Sequence, residues 1–309
     1  MKTILYIFCG ISVCFGQFSF NGLNTWAQSS AISFAGGGLL LDFENDFTNP
    51  GTLKNAKRKI RFSSLNYPAD ITAQSMIANG AYGSHSLGLK ISRVNYGIFE
   101  GRDVENQLTE NYSAGDINFE FAYANSTLSK RINWGISGGL FMSRLEKSKA
   151  SAIILSPGII VNAKEFKLGM TLKNFGKVIK QYGTVKEEMP SYVIGSISHQ
   201  LSFKPLKIEF DYSSSINSRH SYSVFSGIYT FDKNLLIKAG TSTNRFDQTI
   251  NASFFRNIFT DFGIGLVYKI EDIVVDINSY SYGTGGLVFG VGISAVSYTH
   301  LTLPTILLV

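Results

Sequence analysis

The sequence predicts an all-β fold: an antiparallel transmembrane β-barrel of about 14 strands with an N-terminal plug or lid segment. Three observations predict this class: short stretches that alternate apolar and polar residues, few charges, and connections that alternate in length. The chain has 309 residues, of which 44% are hydrophobic and only 16% are charged. Because soluble proteins carry about 25% charged residues, we expect lipid to cover part of this surface.

The most regular alternation lies between Gly115 and Glu146. Successive side chains of a strand point to opposite faces, so each arm of this stretch has one apolar face and one polar or small face. The stretch therefore predicts a β-hairpin with a polar turn near Ser126. The residues of its apolar face are Ile117, Phe119, Phe121, Tyr123, Ile132, Trp134, Ile136, Leu140 and Met142.

Similar stretches recur along the chain, and together with the two arms of the hairpin they give fifteen predicted strands, an odd number. Since bacterial barrels have even strand numbers, we expect one stretch to be overcounted. The other predicted strands are 58–67, 70–80, 84–96, 152–161, 166–175, 191–202, 206–213, 222–231, 235–243, 249–256, 261–270, 272–280 and 287–294. Long loops at 97–114, 176–189 and 214–219 alternate with short turns, as the external loops and periplasmic turns of outer-membrane barrels do. An exported soluble β-sandwich is the alternative fold.

The sequence divides into four predicted parts. Residues 1–16 combine Lys2 with an apolar run too short to span a bilayer, which predicts a signal peptide for the general secretory route. A lipoprotein signal ending at Cys14 is the alternative, although Val13 is bulky for that position. We expect a plug or lid at 17–57 and the outer-membrane barrel at 58–295. Residues 296–309 lose the alternation and resemble a translated sequencing-adaptor tail, so we treat them as non-native.

No residue pattern predicts an enzyme, a metal site or a cofactor site. The histidines, His85, His199, His220 and His300, lack metal-ligand spacing. Ser84 next to His85 leaves a barrel hydrolase open, because folds rather than adjacency assemble triads, but polar strand ends are the favoured interpretation. The acidic run 42–46 lacks the pattern of a calcium loop. A net charge of +6 without basic–aromatic clusters excludes nucleic acid as an expected partner.

Short motifs in a fixed order resemble the PorV/PorQ family of type IX secretion outer-membrane proteins, PorQ most closely, which is related to the FadL-like barrels. The motifs are Ala35-Gly36-Gly37, Thr48-Asn49-Pro50-Gly51-Thr52-Leu53, Val94-Asn95-Tyr96-Gly97, Ser113-Ala114-Gly115-Asp116, Lys173-Asn174-Phe175-Gly176, Met189-Pro190 and Lys204-Pro205-Leu206. The resemblance covers about residues 18–294. Gly51 departs from the alanine that the family prefers.

The resemblance implies a structural role for Gly36, Gly37, Asn49, Pro50, Tyr96, Gly97, Asn174, Gly176, Pro190 and Pro205. It also implies a Bacteroidota outer-membrane protein that anchors or assembles a cell-surface attachment complex. Its expected partners are outer-membrane lipid and other type IX components. The alternative function is a FadL-like channel for hydrophobic small molecules, which needs an apolar pocket near the plug and a lateral gap in the wall. Inward-facing Lys207, Glu209 and Asp211 argue against that alternative.

Overall fold

The structure is a computed structural model and describes residues 20–41, 47–56, 58–127, 131–183, 187–246 and 260–296. The predicted signal peptide, the acidic run 42–46, the predicted strand 249–256, and all but the first residue of the predicted tail, His300 included, lie outside these ranges. The four-part division of the chain therefore stays a prediction.

The described strands form one antiparallel sheet that closes on itself. They are β1 Lys59–Asn66, β2 Thr72–Tyr82, β3 His85–Arg102, β4 Leu108–Thr127, β5 Ile132–Leu145, β6 Ser148–Ala163, β7 Phe166–Lys173, β8 Phe175–Lys180, β9 Tyr192–Gln200, β10 Leu206–Ser215, β11 Ser221–Thr230, β12 Leu235–Ser242, β13 Phe262–Ile270, β14 Ile273–Ser281 and β15 Leu287–Val296. The first and last strands close the ring, with Lys59 opposite Val296 and Asn66 opposite Phe289.

β7 and β8 are two halves of one interrupted strand, because both pair with β6. The wall is therefore a closed antiparallel barrel of 14 strands, which confirms the predicted fold class. β12 pairs directly with β13, so the described strands close the barrel by themselves; the predicted strand 249–256 lies outside the described residues.

The barrel wall is apolar outside and polar inside. Phe62, Ile264 and Phe289 are 50–57% exposed on the outer face, whereas Ser63 and Gly263 on the inner face are buried. A closed barrel pairs all of its strand edges, and an apolar outer band can contact hydrocarbon, so this architecture crosses membranes. The described residues include no helix of the length and hydropathy that a membrane span requires.

The two ends of the barrel differ in their connections. One end carries two-residue turns such as 83–84 and 271–272, and the other carries the longer connections 181–191 and 243–261. Outer-membrane barrels place short turns in the periplasm and long connections outside the cell. We therefore refer to the two ends as the inner and outer ends.

The structure corrects two predicted loops. The predicted loop 97–114 is mostly strand, because β3 continues to Arg102 and β4 begins at Leu108. The predicted loop 176–189 contains most of β8. We call residues 98–112 the projecting hairpin, because neighbouring β2 and β5 pair with β3 and β4 only as far as Asn95 and Ala114. Water contacts both faces of such a hairpin, so its sequence has no reason to alternate.

The chain before β1 fills the barrel. It forms the short helix α1 Ser29–Ser33 and the 3-10 turns Asn21–Asn24 and Pro50–Asn55. Glycines on the wall make room for it: a Cβ at Gly263 would collide with the carbonyl of Ile32, and one at Gly240 with the backbone of Phe34. We call residues 20–41 and 47–56 the plug.

Candidate functional site

A buried ionic cluster fixes α1 to the wall. Arg61 Nη2 on β1 lies 2.6 Å from Asp276 Oδ2 on β14, and both side chains are at most 2% exposed. Ser29 Oγ on α1 donates to Asp276 Oδ1 at 2.7 Å and accepts from Arg61 Nη2 at 2.7 Å. Lys238 Nζ lies 3.7 Å from Asp276 Oδ1. Gly292 lies on β15, between β1 and β14, and a side chain there would collide with this cluster. Its lack of a side chain therefore allows Arg61 on β1 to reach Asp276 on β14.

Two carboxylates on β10 hold the glycine-rich part of the plug. The amide of Leu40 donates to both Glu209 oxygens at 2.8 and 3.0 Å, and the amide of Gly38 donates to Asp211 Oδ2 at 3.0 Å. Ser196 Oγ donates to Asp211 Oδ1 at 2.5 Å. A Cβ at Gly37 would lie 2.7 Å from Asp211 Oδ2. The glycine therefore allows the plug backbone to approach the carboxylates.

The second half of the plug occupies the inner end of the barrel. Asn49 caps the turn Pro50–Asn55, since its Oδ1 accepts from the amide of Gly51 at 3.1 Å. Pro50 occupies the first position of the turn, where its fixed φ is favourable. Thr171 Oγ1 on β7 donates to the carbonyl of Thr48 at 2.8 Å. The motif residues Asn49 and Pro50 thus shape the plug where it contacts the wall.

A polar cavity of about 80 Å³ lies between the plug and strands β3 to β7. It is lined by Lys90, Asp116, Asn118, Glu120 and Lys173, among other residues. Lys90 Nζ forms an ion pair with Glu120 Oε1 at 2.5 Å. Because charged and polar groups line it, this cavity favours water over an apolar solute.

The barrel wall is broken at Asn174. β7 pairs with β9 up to Lys173 opposite Tyr192, but β8 pairs only with β6 among the described strands. Asn174 has φ of 55°, a left-handed conformation in which asparagine is enriched. Ser191 Oγ donates to the carbonyl of Asn174 at 2.8 Å, and Asn174 Nδ2 donates to the carbonyl of Pro190 at 3.5 Å. The segment 187–191 thus covers the gap through side-chain bonds rather than a strand ladder.

An apolar cluster lies directly behind this break. Its buried members are Phe20, Leu23, Phe141, Ala150, Ala152, Ile154 and Met189, with Val178 and Tyr182 packed against them. The rings of Phe20 and Phe141 pack edge to face at 5.8 Å. Phe20 and Leu23 belong to the plug, so the plug itself fills the apolar space behind the wall break.

A hydrogen-bond chain borders the apolar cluster. The hydroxyl of Tyr182 donates to Ser143, Ser143 donates to Asp116 Oδ1, and the hydroxyl of Tyr96 donates to Asp116 Oδ2 at 2.7 Å. Burial raises the pKa of the Tyr182 phenol, which keeps it neutral. Plug residue Gly22 faces Asp116 so closely that a Cβ there would collide with the carboxylate. This chain joins the polar cavity to the cluster.

The structure separates the predicted motif residues into three groups. Gly36, Gly37, Asn49 and Pro50 belong to the plug, and Gly36 has φ of 82° and contacts the ring of Trp26. Asn174, Gly176 and Pro190 lie at the wall break. The remaining positions lie apart from one another: Tyr96 belongs to the hydrogen-bond chain through Asp116, Gly97 forms a bulge in β3 with φ of 91°, and Pro205 lies in the exposed β9–β10 turn.

Several site residues are absent from the sequence-based prediction. Arg61, Lys238 and Asp276 alternate like other inward polar residues, and nothing in the sequence indicates that they meet. Phe20 and Leu23 precede the recognised motifs. The described histidines contact aromatic rings: His85 Nδ1 lies 2.7 Å from the hydroxyl of Tyr123, and His199 stacks on Phe166 at 4.2 Å. Among the described residues, no group of three acidic, histidine or cysteine side chains could hold a metal.

The fold is similar to that of solved outer-membrane channels. The Pseudomonas putida toluene transporter TodX superposes with a TM-score of 0.53 at 12% identity, over 88% of this chain and 96% of TodX. A Pseudomonas aeruginosa FadL homologue superposes with a TM-score of 0.52 at 10% identity, over 88% of this chain and 98% of the homologue. No protein-family model and no curated protein matches the sequence.

These similarities support the FadL-like part of the sequence resemblance and give no support to the type IX part. They also agree with the closed wall and the apolar outer band described above. The chain is therefore an outer-membrane β-barrel with a FadL-like fold.

Proposed function

We propose that this protein is an outer-membrane channel for small hydrophobic molecules, which leave the barrel sideways through the wall break at Asn174. The observation that carries the proposal is the apolar cluster behind a gap in the strand ladder. A FadL-like channel needs a lateral gap in the wall and an apolar pocket near the plug. The gap is present, and the apolar space behind it is filled by the plug residues Phe20 and Leu23. The solved structures of similar fold include TodX, which is described as a toluene transporter and, in a mutant form, as a monoaromatic hydrocarbon channel.

The position of the cluster gives a hydrophobic solute a favourable route. The inner half of the lumen carries buried charged residues such as Arg61, Glu209 and Asp276. An apolar molecule that passed through this half would be surrounded by polar groups. A lateral route avoids them, because it leads from the cluster directly to hydrocarbon. Burying apolar area is worth about 25 cal/mol per Å². A hydrophobic solute that takes the place of the Phe20 and Leu23 side chains would bury its own apolar surface in the cluster and gain this free energy.

The cover of the gap can open at moderate cost. The segment 187–191 bonds Asn174 through the Ser191 hydroxyl, which donates, and the Pro190 carbonyl, which accepts. Ile216 and Asn217 donate to the carbonyls of Ser191 and Met189. Neutral hydrogen bonds contribute about 0.5–1.5 kcal/mol each. An outward shift of this segment therefore breaks these four hydrogen bonds and exposes the buried side chain of Met189, whose burial is worth about 1.5–3 kcal/mol. A solute that takes the place of Met189 in the cluster would offset the second cost.

Blocking the cluster should stop transport. We expect Val178→Trp to reduce uptake of toluene or a fatty acid at least tenfold, because Val178 packs against the cluster from β8. Ile179→Trp is the matched control, because Ile179 is next to Val178 in the chain but is 59% exposed and faces lipid. Uptake would be measured with radiolabelled solute in liposomes that contain each purified variant, after heat-modifiable gel mobility has verified folding. Equal uptake by the two folded variants would refute the lateral route.

The projecting hairpin favours a second candidate, a surface scaffold of the type IX attachment complex. It exposes Ile98 at 76%, Val104 at 103% and Leu108 at 68% beyond the paired wall, and Phe99 stacks on Tyr112 at 5.4 Å. Exposed apolar side chains outside the membrane are typical of a protein-binding surface.

Deletion of residues 98–112 in the native host separates the two candidates. A scaffold predicts that attachment-complex proteins copurify with the tagged wild-type barrel and are lost with the hairpin, together with surface anchoring of cargo. A channel predicts that hydrocarbon uptake survives the deletion. The absence of any copurifying surface protein from wild type would exclude the scaffold.

A further inference from the structure

The outer face of the wall carries basic residues on one side of the barrel only. In the described strands β9 to β15, β1 and β2, the outward-facing residues are uncharged. On β3 to β8, below the projecting hairpin, the charged outward-facing residues are all basic. We call them the basic patch: Arg93, Arg144, Lys149, Lys177 and Lys180.

The strand register brings these side chains together. Arg144 on β5 lies directly opposite Lys149 on β6, and Lys180 on β8 lies opposite Ser151, two residues from Lys149. Directly opposed residues have Cβ atoms about 4.5–5.5 Å apart, and like charges in this position are destabilising. Such a juxtaposition favours an anion that binds both cations.

No described acidic residue forms an ion pair with the basic patch. Arg144 Nη2 donates to Ser113 Oγ at 3.1 Å, and none of the ion pairs among the described residues includes a member of the patch. Glu110 on the projecting hairpin and Glu146 on the β5–β6 turn line the same surface pocket as Arg144, but neither forms an ion pair with it. The patch is therefore a cluster of unpaired cations in the described structure.

The height of the patch places it at the membrane boundary. From Trp134 to Arg144, β5 extends about 34 Å, at about 3.4 Å per residue. With a strand tilt of about 40°, this corresponds to about 26 Å along the barrel axis, close to the apolar band of about 25 Å in outer-membrane barrels. Arg144 thus lies at the outer edge of the band when Trp134 lies at the inner edge, where aromatic residues are enriched.

We propose that the basic patch binds the phosphate groups of an outer-leaflet lipid. Arginine can bind a phosphate through two parallel hydrogen bonds, and lysine adds point charge. Immediately toward the inner end, the wall exposes Leu140, Ile153 and Phe175, which acyl chains can cover. A ligand that has phosphate at one end and hydrocarbon at the other fits both surfaces, whereas a soluble anion fits only the first.

The test uses the full-length barrel purified in detergent and native mass spectrometry. Phosphatidic acid is the probe, and phosphatidylcholine at the same concentration is the comparison lipid. We expect wild type to retain phosphatidic acid preferentially, and Arg144→Gln with Lys149→Gln to weaken that binding at least tenfold. The control is Lys204→Gln with Lys233→Gln, which removes two exposed lysines from turns at the inner end.

Three outcomes would overturn the proposal. Equal retention of phosphatidylcholine would show that only the hydrocarbon binds, and equal weakening in the control would show a general charge effect. Displacement of phosphatidic acid by equimolar inorganic phosphate would identify a free-anion site instead of a lipid site. Heat-modifiable gel mobility verifies that both variants remain folded. None of these outcomes depends on whether the barrel transports hydrophobic solutes.

Discussion

Replacing Asp276 with alanine should lower the free energy of unfolding by about 3–5 kcal/mol, because the change removes one partner of a buried ion pair. Arg61 and Lys238 stay in the lumen at no more than 2% exposure, within a wall that excludes water. Ser29 also loses its acceptor at 2.7 Å, so α1 detaches from β14. The measurement is urea unfolding in lipid vesicles, followed by heat-modifiable gel mobility.

The matched control is Asp272→Ala, which removes a carboxylate from the exposed turn before β14. We expect this variant to unfold within about 0.5 kcal/mol of wild type, as surface substitutions usually do. Asp276→Asn distinguishes charge from shape, since it keeps the volume and can still accept from Ser29. If Asp276→Ala unfolded at the same urea concentration as the control, the ionic cluster would not stabilise the plug.

The sequence predicts the wall well because alternation directly encodes the two environments of a barrel strand. On β10, Ile208 and Tyr212 are 44–48% exposed to the lipid side, whereas Glu209 and Asp211 are at most 3% exposed. That coupling ends beyond the membrane. The projecting hairpin has water on both faces, so Glu100, Arg102 and Glu110 follow no period and the sequence predicts a loop there.

The site depends on contacts that local pattern does not contain. Arg61 and Asp276 are separated by 215 residues, and each alone is only an inward polar residue. The wall break depends on a single residue, Asn174, that adopts a left-handed conformation inside a stretch whose alternation predicts a continuous strand. The motifs locate the plug glycines and Asn174, but only the closed barrel shows that Phe20 and Leu23 fill the space behind the break.

Changing both β10 acids to amides, with Glu209→Gln and Asp211→Asn, should displace the plug and open the lumen. Glu209 and Asp211 accept from the amides of Leu40 and Gly38 at 2.8–3.0 Å, and such hydrogen bonds contribute about 0.5–3 kcal/mol each, the upper end when the acceptor is charged. A neutral amide accepts more weakly and presents an NH₂ group that repels a backbone donor. We expect the ionic conductance of single barrels in planar bilayers to rise at least tenfold.

Glu271→Gln with Asp272→Asn is the control, because it removes the same charge from an exposed turn and should leave the conductance at the wild-type value. The conductance of the β10 variant also separates two functions of the plug. If the plug only fills the lumen, its release should admit ions and sugars alike, and uptake of hydrophobic solutes should change little. If the plug also positions Phe20 and Leu23 behind the wall break, its release should alter hydrophobic uptake together with conductance. A folded β10 variant that conducts like wild type would show that other contacts, such as Asp276 with Ser29, suffice to retain the plug.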